Sequence, residues 1–155
     1  MRCVGFPPFI DDDSEILILG SFPSVKSRET SFYYGNDRNR FWTVLSRVFS
    51  ADRPNTNDDK KLLLKRLKIA LWDMVVTCDI EGSMDASIKN AVAADIKGLI
   101  ETHPKIRKII TNGKTAHKFL TDNFPEYLNM TVCLPSTSPA NPRFSFDEWE
   151  TALTR

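Results

Sequence analysis

Only two histidines, His103 and His117, occur in the 155 residues, and the three cysteines, Cys3, Cys78 and Cys133, share no Cys-x-x-Cys spacing. A histidine-dense metal centre, a cysteine-based zinc site and a disulfide framework are all disfavoured, and no cofactor is expected. Long hydrophobic runs are missing too. The longest span about five residues, far below the roughly 20 needed to cross a bilayer. The start, Met1-Arg2-Cys3-Val4-Gly5-Phe6-Pro7-Pro8, lacks the apolar stretch of a secretory signal. The expectation is a cytoplasmic protein without membrane contact. Overall basicity is absent, since net charge is only +1, so nothing global announces a nucleic-acid ligand.

What is present is ordinary globular composition, 41% hydrophobic and 26% charged, in a length that suits one domain over 1–155. The charge is uneven. Between Ser21 and Ser50, Lys26, Arg28, Arg38, Arg40 and Arg47 stand against Glu29 and Asp37, five minus two, a local excess of three positive charges. Such a patch suits phosphate contact, although most clusters like it are solvated faces.

The run Ile16-Leu17-Ile18-Leu19 before Gly20 predicts a strand buried on both faces. Residues 1–15 read as a lead-in loop. Residues 20–39 have no sustained period, and so long a structureless segment usually serves function. Phe41, Val44, Leu45, Val48 and Phe49 fall on one stripe of a helix, with Asn36, Asp37 and Asn39 as candidate caps. A second helix is expected over 58–67 and a strand over 69–75. A loop over 78–89 precedes a helix over 91–101, which His103-Pro104 stops. A strand over 106–110, a helix over 114–123, a strand over 131–134 and a loop over 135–142 follow. A final helix over 146–153 leaves room for truncation at the C-terminus. Alternating strands and helices predict a three-layer α/β/α sandwich with a central, mainly parallel four-stranded sheet. Every unusual loop follows a strand, so the loops should gather at one rim, where such sheets bind ligands.

Two of these loops carry a likeness. Gly20-Ser21-Phe22-Pro23-Ser24-Val25-Lys26-Ser27-Arg28-Glu29, with Phe32-Tyr33-Tyr34-Gly35-Asn36-Asp37-Arg38-Asn39-Arg40-Phe41-Trp42, resembles the first motif region of the hypoxanthine-DNA (deoxyinosine) glycosylase branch of the uracil-DNA glycosylase superfamily. Leu134-Pro135-Ser136-Thr137-Ser138-Pro139-Ala140-Asn141 is similar to the second superfamily motif, the loop that presses on the DNA strand. Leu71-Trp72-Asp73, Glu81-Gly82-Ser83 and Thr111-Asn112-Gly113-Lys114 sit where that branch has them. The likeness runs from about Ile16 to Trp149. It departs from the mismatch-specific uracil glycosylases at Phe22, where those enzymes hold a water-positioning asparagine, and at Ala140, where they place a bulky leucine.

The resemblance implies a monofunctional glycosylase of base excision repair. It would flip a deaminated base, hypoxanthine above all, out of DNA and hydrolyse its N-glycosidic bond with water. Excision of uracil, mismatched bases or xanthine is the alternative, with a non-catalytic DNA-damage binding module or an enzyme on free nucleosides behind it. Asn39 carries over as the catalytic amide, and it is also a good helix cap. Ser21, Phe22, Tyr34 and Asn112 are the expected base-binding residues. Ser24, Lys26, Arg28, Arg40, Ser136, Thr137, Ser138, Ala140 and Asn141 are the expected DNA contacts. A cleaving lyase would need an activated amine, and nothing in the sequence shows Lys26 buried for that role. The implied partners are damaged DNA and the enzymes that process abasic sites, with the protein acting as a monomer.

Overall fold

The computed structural model describes residues 2–155. In chain order it contains β1 (Arg2–Val4), β2 (Ile16–Gly20), α1 (Val25–Thr30), α2 (Phe41–Val48), α3 (Asn57–Leu67), β3 (Ile69–Asp73) and β4 (Val75–Asp79). Then come β5 (Lys89–Ala93), α4 (Ile96–Thr102), β6 (Lys108–Asn112), α5 (Lys114–Asn123), β7 (Thr131–Leu134) and α6 (Phe146–Thr154). Among the described residues, no helix is long and apolar enough to cross a membrane.

The main sheet has the order β3-β2-β6-β7 and is parallel throughout. The period-two geometry of a strand explains why β2 is apolar at every position but its closing glycine. Ile16 and Ile18 point into a core shared with α2, α3 and α6, while Leu17 and Leu19 point into one shared with α4 and α5. Helices therefore cover both faces, giving the three layers. The first core is rich in rings: Phe41, Trp42 and Trp149 are at most 1% exposed, each worth on the order of 2–3 kcal/mol of burial. Phe41 and Trp42 meet edge to face at 4.9 Å.

Among the described residues, four of the six α-helices begin where the sequence offers a cap, whereas α2 and α5 start at Arg40 and Gly113 without a side-chain cap. Ser24, Thr56, Asp95 and Ser145 each accept a backbone N–H from the first turn of α1, α3, α4 and α6. Ser145 with Glu148 has the spacing of a capping box.

The structure corrects the expected elements at one side of the molecule. Residues 89–93 form β5 rather than the start of a helix; α4 waits for Asp95, whose carboxylate accepts from Gly98 N. The supposed single strand over 69–75 breaks at Met74, whose N–H turns to donate to Gly20 O at 2.8 Å. Part of the expected loop over 78–89 and part of the lead-in are strands as well. β1, β4 and β5 build a second, antiparallel three-stranded sheet. Residues 20–39 are also less irregular than their sequence, because Ser24 caps the short helix α1.

From β2 the chain crosses to β3 on one side and later to β6 on the other. The order reverses between β2 and β6, which opens a crevice beyond their carboxyl ends.

Candidate active site

That crevice holds a cavity of about 130 Å³ lined by residues from the ends of β2, β3 and β6 and from the loop after β7. It is small beside the roughly 300 Å³ at which pockets for drug-sized ligands begin. Phe22, 8% exposed, supplies an apolar wall. Tyr34 lies stacked on Phe41, ring centroids 4.2 Å apart, with its backbone in the left-handed region at φ 53°. A bulky residue there is uncommon and marks a position held by its surroundings.

The most unusual chemistry is at the floor. Asp73 closes β3, is 5% exposed, and its Oδ2 has no hydrogen-bond partner; the buried Tyr34 hydroxyl has none either. Both line the cavity. Buried polar atoms left unpaired in a native fold call for an explanation, such as an ordered water, an ion or a role in chemistry. Burial first, and the charge of Asp85 second, push the Asp73 carboxyl up to about 7. Burial, then the charge of Asp73, raises the Tyr34 phenol above its ordinary range against a lowering effect of the nearby Asn112 side chain, whose approach falls short of hydrogen-bond geometry. At the rim Ser21 donates to Asp85 Oδ1 at 2.8 Å. Burial raises Asp85 as well, against the lowering effect of the Ser21 and Thr115 hydroxyls.

Asn39 stands at the entrance and lines both this cavity and a wider groove of about 860 Å³ beside it. The N-cap of α2 is Arg40, which makes no side-chain cap bond, so none of Asn36, Asp37 and Asn39 is the cap. The Asn39 Oδ1 instead accepts from Phe41 N at 2.9 Å, a local turn two residues long. Because a backbone N–H can only donate, that bond fixes which end of the amide is oxygen. The Nδ2 group has no protein partner among the described residues and remains a free donor at the mouth.

Other expected residues are present but already engaged. Asn112 lines the cavity, yet its Nδ2 donates to Thr137 Oγ1 at 3.0 Å and its Oδ1 accepts from Thr137 N at 2.9 Å. It clamps the loop after β7. Arg40 donates through Nη1 to Ser138 O and Asn141 O, at 3.1 and 3.2 Å, and its guanidinium lies over Phe144. Arg28 donates to Pro23 O and Gly82 O and covers the Phe22 ring at 5.6 Å. Lys26 is exposed beside Glu29 at 3.8 Å and lines neither opening. Three of the expected basic contacts thus lie outside the linings, two of them tying the loops together.

The loop after β7 is knitted by its own side chains. Ser136 Oγ accepts from Ser138 N, Ser138 Oγ from Ala140 N, and Asn141 Nδ2 donates to Ser136 O. Thr137 is buried, whereas Ala140 is exposed on the groove. Ser24 lines both openings while its hydroxyl caps α1.

Sequence reasoning gave no role to Asp73 or Asp85, or to Lys114 and Arg143, which line the groove. A lone aspartate closing an apolar strand was the available signal for Asp73, since an unpaired carboxyl is costly to bury. Lys114 and Arg143 carry no comparable signal.

A family model described as the uracil DNA glycosylase superfamily matches residues 7–153. A protein named hypoxanthine DNA glycosylase from Methanosarcina acetivorans is 40% identical over 153 residues, covering 94% of each chain. A second of that name, from Methanosarcina barkeri, is 37% identical over 120 residues, 77% of this chain and 76% of that one. The solution NMR structure of a candidate uracil DNA glycosylase from Methanosarcina acetivorans superposes with a TM-score of 0.84 at 38% identity. The superposition covers 99% of this chain and 97% of that one.

Proposed function

The chain belongs to the uracil-DNA glycosylase superfamily, and from that premise we propose that it is a monofunctional DNA glycosylase. Its substrate is hypoxanthine in DNA, and it hydrolyses the N-glycosidic bond with water. The relatives that bear the name hypoxanthine DNA glycosylase, at 37–40% identity, support the substrate. The observation that carries the chemistry is a single cavity, walled by Phe22, whose lining includes Asn39 with its free Nδ2 and the buried Tyr34 Oη and Asp73 Oδ2, neither of which meets hydrogen-bond geometry with a protein group.

A base stacked in a duplex hides its glycosidic bond, so the nucleotide must rotate out, at a cost of a few kcal/mol. Hypoxanthine is flat, uncharged and carries both N–H and carbonyl on one edge. An aromatic wall with unpaired polar groups complements it. As the bond breaks, positive charge grows on the sugar and negative charge on the base. A fixed amide donor aimed at the departing base stabilises that anion as an oxyanion hole does, by about 2.7–4 kcal/mol. Asn39 is fixed by Phe41 N and supplies such a donor. Its oxygen retains a second lone pair that can hold water.

The groove beside the cavity is the path for the strand. Ser136, Ser138 and Asn141 line it with Lys114 and Arg143, supplying hydroxyl, amide and cationic contacts to phosphate. The product, an abasic site, must pass to an activity that cleaves abasic DNA, and the protein works as a monomer.

The test is a panel of duplexes, each with one hypoxanthine, uracil, xanthine or mismatch, treated with protein and then alkali. Strand breaks at hypoxanthine above all are expected. Binding without breaks on every lesion would replace the proposal with a non-catalytic damage-recognition module.

A further inference from the structure

Flipping a nucleotide leaves a gap in the base stack, and proteins that distort DNA commonly fill such gaps with an apolar wedge. The loop after β7 offers Pro139 and Ala140 at the groove, short groups that fill little. A longer one stands in the loop after β4. Among the described residues the exposed large hydrophobic side chains are Val4, Val25, Leu62, Met84, Val92 and Val132. Of these, Met84 alone lines the groove. Its neighbours Ser83 and Asp85 line groove and cavity alike, so it sits beside the mouth.

The mounting of Met84 is as telling as its exposure. The loop is strapped down on both sides, through its backbone at Gly82 and through the side chains of Ser83 and Asp85. Ser83 Oγ accepts from Val25 N at 2.9 Å, Gly82 O accepts from Arg28 Nη2 at 2.7 Å, and Asp85 Oδ1 accepts from Ser21 Oγ at 2.8 Å. Inside the loop, Met84 O accepts from Ser87 N and Ser87 Oγ, and Met84 N donates to Glu81 O. Gly82 makes the turn at φ 58°, with open space where a side chain would be. Yet Met84 as a residue is 62% exposed. A firmly held backbone that leaves an unbranched apolar chain in water gains nothing from it in the free protein. Facing a stack with a vacancy, that chain can adapt its shape and bury itself.

We propose that Met84 enters the DNA stack and occupies the space vacated by the flipped nucleotide, serving as the wedge on this chain. The inference rests on the glycosylase reading for its substrate but not for its readout. It assigns Met84 a positioning role, since it touches DNA away from the reacting bond.

The test compares wild type with Met84→Ala, Met84→Leu and Pro139→Ala. Truncating so exposed a side chain should leave folding intact. The first readout is fluorescence of 2-aminopurine next to hypoxanthine in a duplex, which reports unstacking whether or not the bond is cut. The second is excision from that duplex and from one carrying a flat polyaromatic surrogate opposite the lesion, which fills the stack by itself. Met84→Ala should lose most of the fluorescence rise. It should excise about 10- to 100-fold more slowly from the ordinary duplex. On the surrogate duplex the loss should shrink to less than about threefold, and Met84→Leu should recover most of the rate. Full activity of Met84→Ala, equal loss on both duplexes, or transfer of the defect to Pro139→Ala would overturn the wedge. A wild-type fluorescence rise that depends on Met84, with no base released, would instead sink the glycosylase reading and keep the wedge.

Discussion

Gly20 and Asp73 are register partners on β2 and β3, and a Cβ on Gly20 would lie 2.5 Å from Asp73 Oδ1. The absent side chain is what lets a carboxyl sit at the cavity floor. Gly20→Ala must displace the carboxylate or open the sheet. The expected outcome is a loss of about 1–3 kcal/mol in urea unfolding and at least tenfold slower excision. A variant as stable and active as wild type would show that the floor can yield.

The raised Asp73 carboxyl fixes the sign of a pH effect. Its ordinary value is 3.8 and the folded value about 7, so across that window the folded state holds a proton that the unfolded chain releases. Its contribution to stability is complete below about pH 4 and is lost as pH rises through 7, up to about 4 kcal/mol in all. Asp73→Asn, which cannot ionise, should raise the melting temperature at pH 8 and change it little at pH 4. It should also slow excision. Equal gains at both pH values would show that the carboxyl is ionised in the fold at no cost.

Asn39 invites a separation of its two roles. Asn39→Ala removes the acceptor for Phe41 N and the free donor together; it should cost about 1 kcal/mol of stability, the worth of one ordinary hydrogen bond, and on the order of 100-fold in excision rate, with DNA affinity kept within about threefold. Asn39→Asp keeps the acceptor and deletes the donor. It should restore melting but not activity. Restored activity would place the chemistry elsewhere.

Salt dependence distinguishes cations that bind phosphate from cations that hold loops. Lys114→Ala and Arg143→Ala should each reduce the slope of log affinity against log salt by about 0.9, or somewhat less on single strands. Arg40→Ala should weaken binding without changing that slope, because its guanidinium serves Ser138 O and Asn141 O. A reduced slope for Arg40→Ala would show that it reaches the strand as well.

The parallel sheet was legible because its pattern is local. Ile16 to Leu19 alternate between two cores, and the apolar stripe of α2 is visible within eight residues. The second sheet was not, because β5 is exposed at all but its last position and joins β4 with register shifts. With no buried face, Ala91 to Ala94 carry helix propensity, and a non-local partner overrides it. At the site, the quoted motifs lead to Phe22, Tyr34 and Asn39 on one cavity. They do not disclose that Arg28, Arg40 and Asn112 spend their polar atoms on neighbouring loops. Hydrogen-bond partners distant in sequence decide that, and residue type does not encode them.

Asn112 gives both ends of its amide to Thr137 while its own backbone ends β6. The segment outside and the recess inside are thereby one mechanical piece. Whatever leans on residues 135–142 leans through Thr137 on the wall against which a guest must settle, so grip on the outside and fit on the inside are sensed together.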